Sequence, residues 1–188
     1  MRRSLLILIA FALPALHGCL PVVATGVGAG VLMAEDRRTT GTIAEDQGIE
    51  LKASNRIGER FKDQAHVNVT SYNRMVLLTG EAPEATAKQE IEKIVRAVEN
   101  VRGIVDEIAV AGNSSLTSRA NDSYLTSKVK ANFVDANKFS PVHVKVVTEN
   151  SVVYLLGLVK RKEADDAAQI ARTTGGVQKV VKVFEYLD

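Results

Sequence analysis

Apolar residues recur along the chain at two different periods, one typical of helices and one typical of strands. Over residues 46–62 an apolar side chain stands at every fourth position, which is the period of one helix face. These positions are Ile49, Ala53, Ile57 and Phe61. Thr42 and Glu45, just before them, fit a capping box, which marks the start of a helix. Val67 and Val69 then alternate with polar neighbours, so a strand is predicted to follow the helix.

A hairpin, a second helix and a last strand complete this pattern. Asn73 marks a turn, because asparagine tolerates the left-handed conformation, and residues 75–81 form the partner strand. Pro83 then starts a helix, since its missing N–H is not needed at that position. The apolar stripe of this helix consists of Ala87, Ile91, Ile94, Val95 and Val98. A strand over residues 103–110 ends the unit, whose predicted order is helix, strand, strand, helix, strand.

The hairpin of this unit occurs a second time, seventy-seven residues later in the chain. His66 to Gly80 and His143 to Gly157 are identical at seven of fifteen positions when they are aligned in register. An internal repeat of this kind fixes the number of units in a chain. The 188 residues therefore hold two copies of one small fold. Each copy has about 65 residues, which is near the lower size at which one hydrophobic core suffices.

The second unit repeats the order of elements. Its first helix is capped by Asn121 or Asp122 and carries a second apolar stripe. That stripe consists of Leu125, Val129, Phe133 and Ala136. A helix over residues 161–174, ended by a glycine pair, precedes a strand over residues 179–186. The predicted domain boundaries are residues 46–110, a polar linker over 111–120, and residues 121–188.

The N-terminal residues have the pattern of a secretory signal peptide. Arg2 and Arg3 form a basic start, and the apolar run Leu5–Leu16 is too short to span a bilayer. Leu16-His17-Gly18-Cys19 follows and resembles a bacterial lipobox, in which the cysteine becomes the lipidated first residue of the mature chain. We therefore expect residues 1–18 to be removed as a signal peptide.

Cys19 is the one cysteine of the chain, so it cannot form an internal disulfide. Its position after the apolar run indicates that it carries a diacylglycerol and an acyl chain. A buried or catalytic thiol is the alternative. Leu20 is not an aspartate, which by resemblance to bacterial lipoproteins favours sorting to the outer membrane. Residues 19–45 are then a flexible tether between the lipid anchor and the first domain.

Charge is distributed unequally between the two units. Residues 19–110 hold 11 basic and 14 acidic side chains, a net charge of −3. Residues 111–188 hold 11 basic and 8 acidic side chains, a net charge of +3. This asymmetry indicates different partners for the two halves. A mature chain with almost no net charge lacks the basic surface that nucleic acid requires, so no nucleic-acid partner is expected.

Each unit resembles a BON domain, a small module named for osmotically induced and nodulation proteins. The resemblance rests on the helix beginning at Asp46 or Asp122 and on the hairpin ending in Gly80 or Gly157. Gly176-Val177 before the last strand adds to it. Together, the lipobox, the tether and the two units resemble outer-membrane lipoproteins with two BON domains over essentially the full length. The closest segments are Asn121–Lys130 and Val144–Asn150.

The sequence departs from the usual BON pattern in two places. Arg74 and Ser151 follow the hairpin asparagines, where glycine is usual, and Glu99-Asn100 replaces the glycine that stands at Gly176 in the second unit. The resemblance implies an α+β fold in which each domain has a small mixed sheet covered by two helices. It also implies a monomeric, non-enzymatic protein, anchored in the outer membrane and facing the periplasm, with no cofactor beyond its acyl groups.

The first helix of the second unit carries the candidate binding site. At about 100° per residue, Tyr124 and Lys128 fall opposite the apolar stripe and are adjacent in space. An outward aromatic ring beside a lysine suits a lipid headgroup layer, because the ring enters the interface while the cation meets phosphate. Ser127, Lys130 and Arg119 lie nearby and complete the predicted phospholipid-binding residues.

The first unit has Gly48 and Lys52 at the positions of Tyr124 and Lys128, so it keeps the lysine and lacks the ring. The resemblance implies that the second BON domain binds anionic phospholipids, such as phosphatidylglycerol and cardiolipin, through this region. Its implied role is to maintain envelope integrity, at division sites and near the outer-membrane barrel-assembly machinery. An alternative for Tyr124 is that it packs against the linker or the first unit.

The sequence indicates no catalytic constellation and no metal site. His66 and His143 are equivalent positions at the starts of the two hairpins, which favours an inherited structural role over metal binding or pH sensing. A second functional hypothesis is an adaptor that binds proteins of the outer-membrane assembly or division machinery without specific lipid binding.

Overall fold

The structure, a computed structural model, describes residues 36–188. The signal peptide, Cys19 and most of the predicted tether lie outside the described residues. The elements of the first repeat are α1 (Thr40–Phe61), β1 (His66–Tyr72), β2 (Met75–Ala82), α2 (Ala85–Arg96), β3 (Gly103–Asp106) and β4 (Ala109–Val110). Those of the second repeat are α3 (Leu116–Ala136), β5 (Val144–Glu149), β6 (Val152–Val159), α4 (Arg161–Thr173) and β7 (Lys179–Tyr186).

Each repeat folds into a mixed sheet. In the first, β1 pairs antiparallel with β2 through the hairpin, and β3 lies parallel to β2 because α2 carries the chain back across the sheet. The second sheet has the same order, with β5 antiparallel and β7 parallel to the central β6. Two helices cover each sheet, which confirms the predicted α+β fold.

The first helix of each repeat begins earlier than the sequence pattern indicated. The Thr39 side chain accepts a hydrogen bond from the Thr42 backbone N–H, so α1 starts at Thr40 and the predicted capping box at Thr42 is wrong. Ser115 caps α3 in the same way, so residues 116–120 of the predicted linker are helical. The first turns of both helices lack the apolar period from which the helices were predicted.

Three smaller predictions are also corrected. The second helix starts at Ala85 rather than Pro83, because the backbone of Glu84 is still extended. Ala136, predicted in the core stripe, is exposed in the last turn of α3. The strand predicted over residues 103–110 is split into β3 and β4, and at the interruption the Ile108 N–H donates to the Asp106 side chain.

The two hairpin turns place consecutive residues in the left-handed conformation. Asn73 and Arg74 have φ values of 52° and 63°, and Asn150 and Ser151 have φ values of 49° and 62°. Two consecutive residues with positive φ are typical of the tight turn that matches the twist of a hairpin. The turn predicted at Asn73 is confirmed. Arg74 and Ser151 adopt a conformation that glycine would adopt at lower cost.

A buried aspartate on the first helix of each repeat accepts hydrogen bonds from the hairpin turn. The Asp46 carboxylate accepts them from the backbone N–H groups of Asn73 and Arg74, at 2.8 and 2.7 Å. Asp122 accepts the equivalent bonds from the second turn, at 2.9 and 2.8 Å. Hydrogen bonds to an ionised acceptor are about twice as strong as neutral ones. These bonds offset the cost of the left-handed turn residues and fix the helix against the hairpin.

The glycine shared by the two hairpins is required by the close approach of two strands. A Cβ atom at Gly80 would lie 2.0 Å from the backbone oxygen of His66, and one at Gly157 would lie 2.3 Å from that of His143. Neither backbone can move away without breaking the strand pairing. In each hairpin, the repeated histidine on one side and the repeated glycine on the other are the two residues that make this close backbone contact.

The two sheets pack against each other and form a third core. One face of each sheet is covered by its own helices. The other faces meet in an apolar cluster to which both repeats contribute. Its buried members are Tyr72, Leu77, Tyr154, Leu156 and Leu158. The layers are thus helices, sheet, sheet and helices, and each sheet is buried on both sides.

Polar contacts join the repeats around this shared core. Three of them carry an acidic side chain as acceptor at 2.8 Å: Asn68 to Glu149, Asn150 to Glu81, and Lys145 to Glu50. The segment before α1 adds another. The Arg37 guanidinium donates to both carboxylate oxygens of Glu163, at 2.7 and 2.8 Å, and to the Leu158 carbonyl oxygen at 2.8 Å. The hydrogen bonds from Arg37 lower the pKa of Glu163 to about 2.

The Asp46 carboxylate can be tested by Asp46→Ala in the fragment of residues 36–188. Besides the two turn N–H groups, the substitution removes the acceptor of Ser71 Oγ and a partner of the Arg38 guanidinium. Because the two turn N–H groups and Ser71 Oγ lose this acceptor, while Arg38 keeps Asp36, we expect the free energy of unfolding in urea to fall by roughly 3–5 kcal/mol. Glu59→Ala on the exposed side of the same helix should change it by less than about 0.5 kcal/mol. Equal effects of the two substitutions would contradict the assigned role.

The Arg37–Glu163 pair predicts a dependence of stability on pH. The folded pKa of Glu163, about 2, lies below its ordinary value of 4.5, so the pair stabilises the protein fully above about pH 4.5. This stabilisation is lost as the pH falls towards 2. Urea unfolding of the wild type and of Glu163→Gln should therefore differ most near neutral pH and converge in acid. The control Glu59→Gln should show no such convergence, and a pH-independent difference for Glu163→Gln would refute the prediction.

Candidate functional site

The site predicted from the sequence lies on the outward face of α3. Leu125, Val129 and Phe133 are buried in the core, as predicted, and this leaves the opposite side of the helix in solvent. Tyr124 projects from that side with 63% of its surface exposed. Packing against the first repeat does not bury the ring, so the alternative in which Tyr124 is a packing residue is wrong.

Two further apolar side chains lie on the same face, and the sequence pattern did not indicate them. Leu116 is 81% exposed and Val134 is 62% exposed. They are eighteen residues apart, which is five helical turns, so they point in the same direction about 27 Å from each other. Tyr124 lies between them along the helix, and its direction differs from theirs by about 80° around the helix axis. We call Leu116, Tyr124 and Val134 the exposed apolar row of α3.

This row distinguishes α3 from other helices. The described residues include seven exposed large hydrophobic side chains, and three of them lie on α3. The helix therefore has a buried apolar stripe on one side and three separate apolar side chains on its solvent side. Exposed apolar side chains of this kind are candidate contacts for a membrane surface or another partner.

The polar residues predicted beside Tyr124 fall into two groups. Ser127 and Lys130 are exposed. Lys128 is half-buried and donates a hydrogen bond from Nζ to the Gly175 carbonyl oxygen at 3.0 Å. Arg119 is half-buried as well, and its guanidinium donates to the backbone and side-chain oxygens of Ser114. An ammonium has three donors and a guanidinium has five, so both keep donors for a further acceptor.

The equivalent helix of the first repeat presents a different surface. Leu51 is its one exposed large hydrophobic side chain, at 64%. Gly48 replaces the ring of Tyr124, and Lys52 forms an ion pair with Glu99 at 3.3 Å. Within its bounds α1 has four acidic and three basic residues, whereas α3 has three basic residues and two acidic ones. One of those two, Asp122, is buried in the bonds to the turn.

A cleft of about 420 Å³ lies on another side of α3, between the two repeats. His66 at the start of β1 lines it, together with Asn68, Glu149 and residues of α3. His66 also lies near Glu81, and donor atoms of these three side chains come within 4.8 Å of one another. The sequence singled out neither glutamate, because one is in β2 and the other in β5 and no spacing along the chain relates them to His66. His143, the equivalent histidine, ends a short 3₁₀ helix before β5.

The predicted lipidation site, Cys19, lies outside the residues that the structure describes. Within residues 36–188, no helix has both the length and the apolar character needed to cross a membrane.

Comparison with known proteins identifies the class. Residues 45–112 and residues 121–188 each match the BON domain family. This chain therefore belongs to the BON-domain family, with two BON domains in tandem. We refer to the domain of α1 to β4 as BON1 and to the domain of α3 to β7 as BON2.

The chain is similar to particular known proteins along most of their length. The chain is 37% identical over 175 residues to the outer membrane lipoprotein DolP of Haemophilus influenzae, covering 92% of this chain and 91% of that protein. It is 32% identical over 154 residues to a 21 kDa hemolysin of Actinobacillus pleuropneumoniae, covering 81% and 79%. It is 27% identical over 160 residues to the osmotically-inducible protein Y of Escherichia coli, covering 83% and 80%.

Proposed function

We propose that this chain is an outer-membrane lipoprotein that binds anionic phospholipid through α3 of BON2 and thereby maintains envelope integrity. The observation that carries the proposal is the exposed apolar row of α3, flanked by Lys128 and Lys130. A helix with an apolar face and basic residues beside it can lie in the plane of a membrane interface. The name of the DolP relative supports the location in the outer membrane.

The energies of such contacts favour reversible binding. A leucine or valine side chain gains roughly 1.5–3 kcal/mol when it is fully buried in an apolar layer. Each basic group near an anionic surface contributes on the order of 1 kcal/mol. Ordering of the side chains offsets part of this gain. An acylated Cys19 would keep the domain near the bilayer, so that even a weak interaction of α3 is made repeatedly at high local concentration.

The remaining parts of the proposal rest on the family resemblance. The lipid anchor on Cys19 holds both BON domains on the periplasmic side of the outer membrane. BON2 contacts phosphatidylglycerol or cardiolipin, and BON1 supports it through the shared core and the polar contacts around that core. We propose a non-enzymatic monomer that acts at division sites and near the barrel-assembly machinery.

Lipid binding can be tested by sedimentation of residues 36–188 with vesicles. Neutral vesicles of phosphatidylcholine are compared with vesicles that also contain phosphatidylglycerol or cardiolipin. We expect binding to the anionic vesicles, weakened at least tenfold by Tyr124→Glu, because a carboxylate then replaces a ring at the headgroup layer. Val134→Glu should weaken binding in the same direction, since it places a charge at one end of the same row.

Leu51→Glu is the matched control for Tyr124→Glu. Leu51 is as exposed as Tyr124 and lies on the equivalent helix of BON1, so the substitution adds the same charge at a similar surface outside the proposed site. It should leave sedimentation with anionic vesicles unchanged. Binding that is indifferent to lipid charge, or equally weakened by Leu51→Glu, would refute lipid recognition by α3 and favour the adaptor hypothesis.

The anchor is tested separately by Cys19→Ala in the full-length chain. Without the cysteine no acyl group can be attached, so the protein should leave the outer-membrane fraction and accumulate as unlipidated precursor. Metabolic labelling with palmitate measures the attachment, and membrane fractionation measures the location. Cys19→Ala protein that still fractionates with the outer membrane would show that another segment anchors the chain.

A further inference from the structure

Two buried carboxylates meet where BON1 and BON2 are in contact. Glu81 in β2 of BON1 is 2% exposed, and Glu149 in β5 of BON2 is 6% exposed. A charged group taken out of water is unfavourable unless hydrogen bonds, an opposite charge or a metal ion compensate it. The groups that contact Glu81 and Glu149 therefore determine which ligand this part of the interface can bind.

The hydrogen bonds that these carboxylates accept come from neutral donors. Glu81 accepts from the Asn150 side-chain amide at 2.8 Å and from the Ser114 backbone N–H at 3.1 Å. Glu149 accepts from the Asn68 side-chain amide at 2.8 Å. These bonds orient and partly stabilise the oxygens, but they bring no opposite charge to either carboxylate. Each carboxylate oxygen can accept two bonds, so acceptor positions remain on both groups.

The charged surroundings increase this excess of negative charge. Asp122, a third buried carboxylate, lines the same cleft as Glu149 and His66. Within residues 36–188, no ion pair joins a lysine or arginine to Glu81 or Glu149. A divalent cation would therefore supply the positive charge that this part of the interface lacks.

The three side chains have the chemistry of a transition-metal site. Donor atoms of His66, Glu81 and Glu149 all lie within 4.8 Å of one another. One imidazole nitrogen and two carboxylate oxygens form a ligand set suited to zinc, which binds nitrogen and oxygen at about 2.0–2.2 Å. Tetrahedral geometry requires donors about 3.4 Å apart, so side-chain rotations that bring them up to about 1.5 Å closer would complete the site. The adjoining cleft supplies a route for the ion and room for water as a fourth ligand.

We propose that His66, Glu81 and Glu149 bind one divalent cation of the zinc type, which bridges BON1 and BON2. Its two positive charges compensate the two buried carboxylates, and its coordination bonds link β1 and β2 of BON1 to β5 of BON2. The second repeat cannot form a copy of this site. In the alignment of the hairpins, Leu158 stands where BON1 has Glu81, and Tyr72 of BON1 stands where BON2 has Glu149. The proposal therefore gives one site per chain.

The proposal is tested with the mature full-length chain in detergent, stripped with a chelator and then titrated with zinc chloride by calorimetry. We expect one zinc ion per chain and a higher Tm in the presence of zinc, because the ion binds only the folded arrangement. Glu149→Gln, which keeps the size of the side chain, and His66→Ala should each weaken zinc binding at least tenfold and remove the zinc-dependent rise in Tm. Circular dichroism without zinc establishes that both variants are folded, and either one that folds is sufficient for the test.

His143→Ala is the matched control, since His143 holds the equivalent position at the second hairpin. It should bind zinc as the wild type does. Magnesium chloride should bind at least tenfold more weakly than zinc, because a histidine nitrogen suits zinc and magnesium prefers oxygen ligands. The proposal is overturned by the absence of saturable zinc binding, by equal zinc affinity in the wild type and both site variants, or by magnesium binding as tight as zinc binding.

Discussion

The carboxylate that each first helix presents to its hairpin is the interaction on which the rest of the structure depends. Asp46 and Asp122 each accept two backbone N–H groups from a turn whose residues are in the left-handed conformation. These bonds hold Arg74 and Ser151 where glycine is usual, and they fix the rotation of each helix about its axis. Because Asp122 faces the hairpin, Tyr124 two residues later must face solvent. The interaction that secures the turn therefore also orients the exposed apolar row of α3.

Duplication supplied two copies of this arrangement, and the copies diverged where they meet each other and the solvent. Residues that both hairpins retain serve the fold, such as the glycines that allow the strands to approach. Residues that differ create features that one repeat has and the other lacks. Tyr124 on α3 aligns with Gly48 on α1, and Glu81 on β2 aligns with Leu158 on β6. The two domains consequently pack through unlike residues of equivalent surfaces. Divergence of this kind turns an internal repeat into a pair of domains with different surfaces.

The order of elements and the core stripes could be predicted from the sequence because each depends on local periodicity. The helix starts could not, since Thr39 and Ser115 cap polar first turns that carry no apolar period. The sequence did contain one indication that the two sheets stack. The residues from Val76 to Leu78 are all apolar, which is typical of a strand buried on both faces. Such a run does not identify the element that covers the second face. The cluster of His66 with two glutamates also required the structure, because strand pairing and domain packing bring these residues together.

The buried side and the exposed side of α3 contribute differently to the stability of the fold. Leu125, Val129 and Phe133 are buried, so changes there alter the free energy of unfolding. The exposed apolar row buries little of its surface in the protein, so changes there leave folding largely intact and, under the proposed function, weaken lipid binding. The cleft beside His66 borders a third side of the same helix, where Ser123 and Thr126 line it. The hydrogen bonds of Asp122 hold α3 against its hairpin. A structural change in that cleft can therefore shift the exposed apolar row only if the helix and the hairpin move together. The rigidity of BON2 thus determines whether a structural change at the domain interface alters the position of the exposed apolar row.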